Sequence, residues 1–401
     1  MPDHRSRRPR AGRTTAAGAS PRHALVLLLA TAAALGVAGT APASAAPSAG
    51  PKDAVRAGLE RLVKEGRYPA AMASVLPRDG RARDYTAGVA DLRTGAKVPV
   101  DGQVRAGSNT KTFVAVVVLQ LVGEGKVELD APIERYLPGL VRGEGIDGRA
   151  ITVRQLLQHT SGLPNFTDEI FEEVFGAGRH RYYQPRELLD MGLSRKALFA
   201  PGTGWSYSNT NYILAGLLVE KVTGRPLAEQ LTKRVIDRLG LRHTYFPGVG
   251  DESIREPHPR GYAARPDGSL DDVTELDPSW GWAAGQLVST PSDLSRFFVG
   301  LLGGRLLKPA QLAEMRTTVK VPEGPGVPAG EEYGLGLIRR SLSCGKVAWG
   351  HGGAVPGFHT LPGVTEDGRA ATIAVTANLA PSPQGLEHAQ ALFDEVLCAK
   401  R

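Results

Sequence analysis

Two cysteines in a 401-residue chain is a low count, and that shortage removes whole classes of protein. Cys344 and Cys398 alone cannot supply a disulfide-built scaffold or a multi-cysteine metal site. The nine histidines show no H-E-x-x-H or comparable spacing, so a zinc hydrolase lacks its ligand set. No G-x-S-x-G elbow, phosphate loop or dinucleotide fingerprint occurs, which removes the α/β-hydrolase and nucleotide-binding readings. No metal or cofactor is therefore expected. Long apolar runs are also missing. The stretch from Ala24 to Ala38 is about 15 residues, short of the roughly 20 that span a bilayer.

That stretch fits a leader instead. Six arginines (Arg5, Arg7, Arg8, Arg10, Arg13, Arg22) precede it, and Ala43-Ser44-Ala45 offers a small-residue cleavage site, so residues 1–45 read as a signal peptide and the mature protein as secreted. The leader's six arginines against Asp3 account for +5 of the formal +7, leaving the mature chain near +2. Nucleic acid is not an expected partner. In an oxidising compartment Cys344 and Cys398 are expected to form one disulfide, pinning a C-terminal helix to the strand region near Leu342; two free buried thiols are the alternative.

What is abundant is a mixture of helical and strand patterns, with 42% hydrophobic residues to bury. A helix is predicted over Asp53–Glu65, then a hairpin of Ala70–Leu76 and Tyr85–Leu92 joined by Pro77-Arg78-Asp79-Gly80. Helical patterns dominate from about 124 to 281: Val153–Gln158, Pro185–Leu193, Tyr212–Thr223 and Leu227–Leu239. Strand signals return in Tyr333–Ile338, Lys346–Gly350, Phe358–Val364 and Ala370–Ala377, before a closing helix at Leu386–Leu397. The Pro/Gly-rich stretch Val321–Gly330 reads as a loop beside the sheet. The expected fold class is thus α/β (α+β): an antiparallel sheet flanked by helices, built from about 51–123 and 282–401, with a mainly helical part at about 124–281.

Three stretches carry chemistry. In Arg105-Ala106-Gly107-Ser108-Asn109-Thr110-Lys111 a serine and a lysine three apart share one helix face, so Lys111 can reach the Ser108 hydroxyl and act as its base. Tyr207-Ser208-Asn209 lies in a turn-rich stretch before an apolar helix, where Ser208 or Asn209 could equally serve as an N-cap. His351-Gly352-Gly353 follows a strand pattern, and its glycines allow another backbone to come close.

Serine-lysine, then tyrosine-asparagine, then a basic residue with glycine, in that order, resembles the serine penicillin-recognising enzymes: class C β-lactamases, related esterases and the Streptomyces-type D-alanyl-D-alanine carboxypeptidase. The stretches Leu119–Lys126, Leu156–Leu163, Tyr333–Leu337 and Leu342–Gly345 agree, so the likeness covers nearly all of 46–401. It implies a β-lactamase/transpeptidase-like fold and a set of roles. Ser108 becomes the acylated nucleophile, Lys111 its base, Tyr207 the proton relay and Asn209 the residue that steadies Lys111 and the substrate amide. His351 shapes the field around Tyr207, and the backbone N–H groups of Ser108 and Ala354 form the oxyanion hole. His159 reads as a structural residue. Trp205, Trp280 and Trp282 are candidates to line a cleft, with core packing as their ordinary use.

The chain departs from the carboxypeptidase pattern where that enzyme holds its substrate's terminal carboxylate: the matching positions are Ile338, Gly352 and Ala354, none with a cationic or hydroxyl side chain. Arg340, on the same strand face as Ile338 and about 7 Å further on, is the possible replacement. The resemblance implies a serine hydrolase working through an acyl-enzyme on a small peptide, ester or β-lactam; with the leader it is expected to be secreted, and a monomer is expected. The leading expectation is D-alanyl-D-alanine carboxypeptidase-like action on cell-wall peptides. Esterase or β-lactamase activity is the alternative, and a non-catalytic penicillin-binding sensor the third reading.

Overall fold

The structure, a computed structural model, describes residues 51–399 apart from 78–79, 266, 324–329 and 378–383. The expected leader at 1–45, the centre of the turn after Pro77 and most of the Val321–Gly330 loop lie outside the described residues.

Helix α1 (Pro51–Lys64) turns Val55, Leu59 and Leu62 inward. Strands β1 (Ala70–Leu76) and β2 (Arg83–Asp91) then form the expected antiparallel hairpin, which β3 (Ala96–Lys97) extends. The remaining strands of the sheet come late in the chain: β4 (Val319–Lys320), β5 (Glu332–Tyr333), β6 (Ile338–Ser341), β7 (Val347–Gly350), β8 (Gly353–Val355), β9 (Phe358–Thr365) and β10 (Ala370–Val375). The sheet order is β4-β5-β6-β7-β9-β10-β1-β2-β3, with β8 also beside β9. Ala73 of β1 faces Ile373 of β10, so early and late chain segments meet in mid-sheet.

One face of that sheet is closed by α1 and the C-terminal helix α8 (Gln384–Cys398): Ala71, Ala73, Ala371, Ile373 and Val375 pack with Leu59, Leu62, Leu392 and Phe393. A disulfide between Cys344 and Cys398, with Cα atoms 5.8 Å apart, ties the end of α8 to the β6–β7 turn.

On the helical side lie α2 (Asn109–Gly123), α3 (Val153–Gln158), α4 (Thr167–Phe175), α5 (Pro185–Leu193), α6 (Asn209–Thr223) and α7 (Pro291–Leu302). α2 is not a surface helix with one apolar stripe. Every residue from Asn109 to Leu119 is buried, so it is a core helix held on all sides. Its start is thereby fixed.

Two predicted elements need correction. Tyr333–Ile338 is not one strand: β5 ends at Tyr333, β6 starts at Ile338, and Gly334-Leu335-Gly336-Leu337 turns the chain between them. The turn exists because Gly336 adopts φ +72° and its carbonyl accepts from Thr112 Oγ1 of α2 at 2.7 Å. The helix expected over Leu227–Leu239 is interrupted by a π-helical turn at Thr232–Ile236. The block between also holds short ribbons, Arg142–Gly143 with Ile146–Asp147 and Tyr262–Ala264 with Leu270–Asp272, too brief for a periodicity argument to find. Among the described residues no helix is long and apolar enough to cross a membrane.

Candidate active site

Ser108 stands immediately before α2 and is the one residue between Gly102 and Leu119 that is not buried. Its neighbours force that placement. Gly107 has φ +55°, and a Cβ there would come within 2.9 Å of the Ala354 nitrogen, so glycine lets β8 lie directly against the nucleophile's turn. Gly353 is needed for the same reason, since a Cβ would fall 2.0 Å from the Ala106 carbonyl. Gly352 is different: its nearest neighbour would be Thr360 O at 3.9 Å, so packing does not demand glycine there. Asn109 Nδ2 donates to Thr360 Oγ1 of β9 at 2.8 Å and to Ala106 O at 2.8 Å, clamping sheet to helix. The Ala354 amide is thus brought beside the Ser108 turn. The Ser108 N–H donates to no backbone acceptor among the described residues, and the Ala354 nitrogen lies against the same turn.

Lys111 is fully buried, and its Nζ lies 3.0 Å from Ser108 Oγ, 2.7 Å from Asn209 Oδ1 and 2.8 Å from the Ala284 carbonyl. No carboxylate among the described residues pairs with it. Burial without a counter-charge drives its pKa well below the usual lysine value and favours the neutral amine. A neutral amine has two N–H bonds and one lone pair. Asn209 Oδ1 and Ala284 O can only accept, so they take the two hydrogens and leave the lone pair facing Ser108. Asn209 is held in that orientation, because its Nδ2 donates to Thr167 Oγ1 at 3.1 Å and its backbone N–H to Asn165 Oδ1 at 2.9 Å.

Tyr207 covers the same group. Its ring centroid is 4.9 Å from Lys111 Nζ, burial pushes the phenol pKa up, and a hydrogen-bond interaction with Ser108 opposes that rise in part. The phenol is therefore held in its neutral, proton-bearing form. Ser208 is the residue preceding α6, but its hydroxyl does not cap the helix; it donates to Pro164 O at 2.9 Å.

His351 is 2% exposed, and burial, with Lys111 nearby, lowers its pKa to about 3. It is a neutral ring that hydrogen-bonds the Tyr333 hydroxyl at 2.9 Å and the Gly352 carbonyl at 2.6 Å.

Other expected members are not brought into this group. Arg340 pairs with Glu331, and the two side chains are only 16% and 8% exposed, so its charge is neutralised on the spot rather than offered to a substrate. Ile338 and Gly352 are half-buried and Ala354 is exposed, in keeping with a surface that a substrate could touch. Trp280 is half-buried against two core clusters, and Trp282 packs on Gly216 of α6. Trp205 belongs to an aromatic cluster around His159, at 6.0 Å between ring centroids.

Sequence reasoning missed four participants: Thr167, Asn165, the Ala284 carbonyl and Tyr333. Only Tyr333 had a signal, as the aromatic residue ahead of a glycine turn; a backbone carbonyl leaves none.

Comparison with known proteins agrees with this geometry. The profile of the family described as Beta-lactamase matches residues 55–397. A D-stereospecific amidohydrolase from Streptomyces sp. superposes with a TM-score of 0.76 at 40% identity, covering 84% of this chain and 97% of that one. The D-amino acid amidase of Ochrobactrum anthropi SV3, solved with L-phenylalanine amide, gives a TM-score of 0.77 at 29% identity over 86% and 97% of the two chains. Esterase EstB of Burkholderia gladioli is 35% identical over 211 residues, which is 51% of this chain and 53% of EstB, so the match spans about half of that relative's length.

Proposed function

Because the chain belongs to the beta-lactamase family of serine hydrolases, we propose that it hydrolyses amides and esters whose acyl group is a D-amino acid or a short D-terminated peptide, through an acyl-enzyme on Ser108. The Ser108 proton passes to Lys111 as Oγ attacks the acyl carbonyl. The negative charge on the carbonyl oxygen is met by the Ser108 and Ala354 amides, a contribution of about 3 kcal/mol for each donor. Tyr207 gives its proton to the departing amine or alcohol and recovers one from Lys111. Water, deprotonated through Tyr207 and Lys111, then attacks the ester on Ser108, and the acid is released as the same proton returns to Ser108 Oγ.

The observation that carries this reading is the Lys111 amine, buried without a carboxylate and 3.0 Å from Ser108 Oγ. The acyl preference follows from the likeness to the two D-specific amidases. The leaving-group preference follows from Ile338, Gly352 and Ala354, which supply no cation, and from Arg340, already paired with Glu331. These favour an uncharged leaving group over the terminal D-alanine of a carboxypeptidase substrate. Export of the mature chain fits the leader and the Cys344–Cys398 bond.

The test is a parallel assay of D-phenylalanine amide, its L-enantiomer, a D-Ala-D-Ala peptide, a chromogenic cephalosporin and a short nitrophenyl ester. Turnover of the D-amide and the ester, absent in Ser108→Ala, supports the proposal. Faster release of D-alanine from the peptide than of ammonia from the amide restores the carboxypeptidase reading; covalent labelling without turnover of any substrate leaves the sensor.

A further inference from the structure

A chain of neutral side chains runs behind the catalytic group, and hydrogen-bond stereochemistry fixes its direction. At one end the Ser208 backbone N–H donates to His159 Nδ1 at 3.2 Å. A second donor reaches the same nitrogen: Asn211 Nδ2, at 3.1 Å, turned that way because Ser161 Oγ–H donates to Asn211 Oδ1 at 2.6 Å. His159 Nδ1 is therefore an acceptor, which leaves the ring's hydrogen on Nε2. That Nε2–H lies 3.2 Å from the Tyr333 hydroxyl and donates to it. At the other end His351 Nδ1 lies 2.6 Å from the Gly352 carbonyl, an atom that can only accept, so the His351 hydrogen is on Nδ1. His351 Nε2 is then an acceptor, and the Tyr333 hydroxyl donates to it at 2.9 Å. Two neutral histidines of opposite tautomer flank one tyrosine. Reversing the chain would set a lone pair against Gly352 O and a hydrogen against the Ser208 N–H.

We propose that His159, Tyr333 and His351 form a directional relay of positioning residues that couples the Tyr207-Ser208-Asn209 segment to the Gly352-Gly353-Ala354 edge, holding the proton carrier and the oxyanion donor in register across the site. One end grips the amide between Tyr207 and Asn209. The other grips the carbonyl two residues before Ala354. The His159 ring also supports Tyr207 directly, 4.4 Å away between centroids, and sits at φ +62°, a conformation costly for histidine. Fixed contacts on both ring nitrogens outweigh that cost.

The relay stays uncharged because of what surrounds it. His159 faces Lys111, His351, Tyr207, Tyr212, Tyr333 and Trp205; His351 faces Lys111, Arg340, Tyr207 and Tyr333. No carboxylate among the described residues faces either ring, and burial beside Lys111 holds both rings below the ordinary histidine pKa.

This rests on the serine-hydrolase reading for its kinetic consequence only. The experiment is nitrogen NMR of the full chain labelled in its histidines, with His159→Gln and His351→Gln to assign the two rings. The expected spectrum has His159 hydrogen-bearing on Nε2 and His351 on Nδ1, both unchanged between pH 8 and 5. In Tyr333→Phe, His351 keeps its hydrogen on Nδ1, held by Gly352 O, but its Nε2 loses the hydrogen bond it accepts, so that nitrogen's signal shifts and kcat on a nitrophenyl ester falls about tenfold with KM held within about twofold. The proposal is overturned if the wild-type rings share a tautomer or average between two, or if Tyr333→Phe leaves the His351 signal and kcat unchanged. Should that variant fail to fold, the wild-type tautomers decide. A protein that hydrolyses nothing yet shows opposite tautomers defeats the function and keeps the relay.

Discussion

On the amine side of Ser108, Lys111 touches three oxygens at 2.7 to 3.0 Å, Asn209 is oriented by Thr167 and Asn165, and two glycines admit β8 where no Cβ would fit. On the leaving-group side, Ile338, Gly352 and Ala354 offer no charged or hydroxyl side chain, Gly352 is not required by packing, and Arg340 is paired with Glu331. The first region is over-determined, whereas in the second the backbone is held but the side-chain positions are nearly unconstrained. Acyl transfer needs fixed geometry, whereas substrate choice can be changed at positions that hold nothing else together. The fold can therefore carry one reaction to many substrates.

The sharpest way to break the contrast is on the tight side. Lys111→Ala should lower kcat/KM on an activated ester by about 10³ to 10⁴, the upper part of the usual range for losing a positioned acid or base, and Tyr207→Phe by about 10², its lower end. Steady-state assays of folded variants check both; a loss under tenfold for Lys111→Ala removes it as the base. Outside both regions, Cys344→Ser should cost up to about 4 kcal/mol of stability by freeing a 54-residue separation, read by denaturant unfolding, with kcat unchanged.

Acid should act on the rigid side before the loose one. The unfolded chain binds protons on histidine near 6.5, whereas His359 waits until about 4 and His351 until about 3, and burial likewise holds His159 well below the ordinary histidine value. More protons on the unfolded chain mean that stability falls as pH drops from about 6.5 toward 4, by roughly 1.4 kcal/mol per pH unit for each such histidine. Urea midpoints across that range should show the slope, flattened in His351→Gln.

The smallest effect belongs to the loose side. Ile338→Arg should raise activity on peptides with a free terminal carboxylate by about tenfold, the worth of one added ionic hydrogen bond. A variant that folds and shows no gain places position 338 away from the leaving group.

Much of the tight side was legible in the sequence. Ser108 and Lys111 are spaced by helix geometry, Gly353 announces a close backbone approach, and the sheet's assembly from both parts of the chain follows from where strand patterns occur. The partners that orient Lys111 were not legible. Ala284 contributes a carbonyl that every residue has, and Thr167 meets Asn209 only once the start of α4 is brought to the start of α6. His159 was readable as structural, but its contact with Tyr333 across 174 residues depends on tertiary placement. Tyr333–Ile338 misled because an alternating apolar pattern looks alike in a strand and in a glycine-bent turn that buries its leucines, as Leu335 and Leu337 are buried here.

Acylation of Ser108 depends on Lys111 being an unprotonated amine when substrate arrives. Its most direct test is the pH dependence of kcat/KM for a nitrophenyl ester in wild type and Lys111→Ala. The account predicts an acidic limb whose apparent pKa lies well below the 10.5 of an ordinary lysine, with a plateau through neutral pH that the variant lacks. A wild-type limb near 10.5, with activity still rising above pH 9, would contradict it.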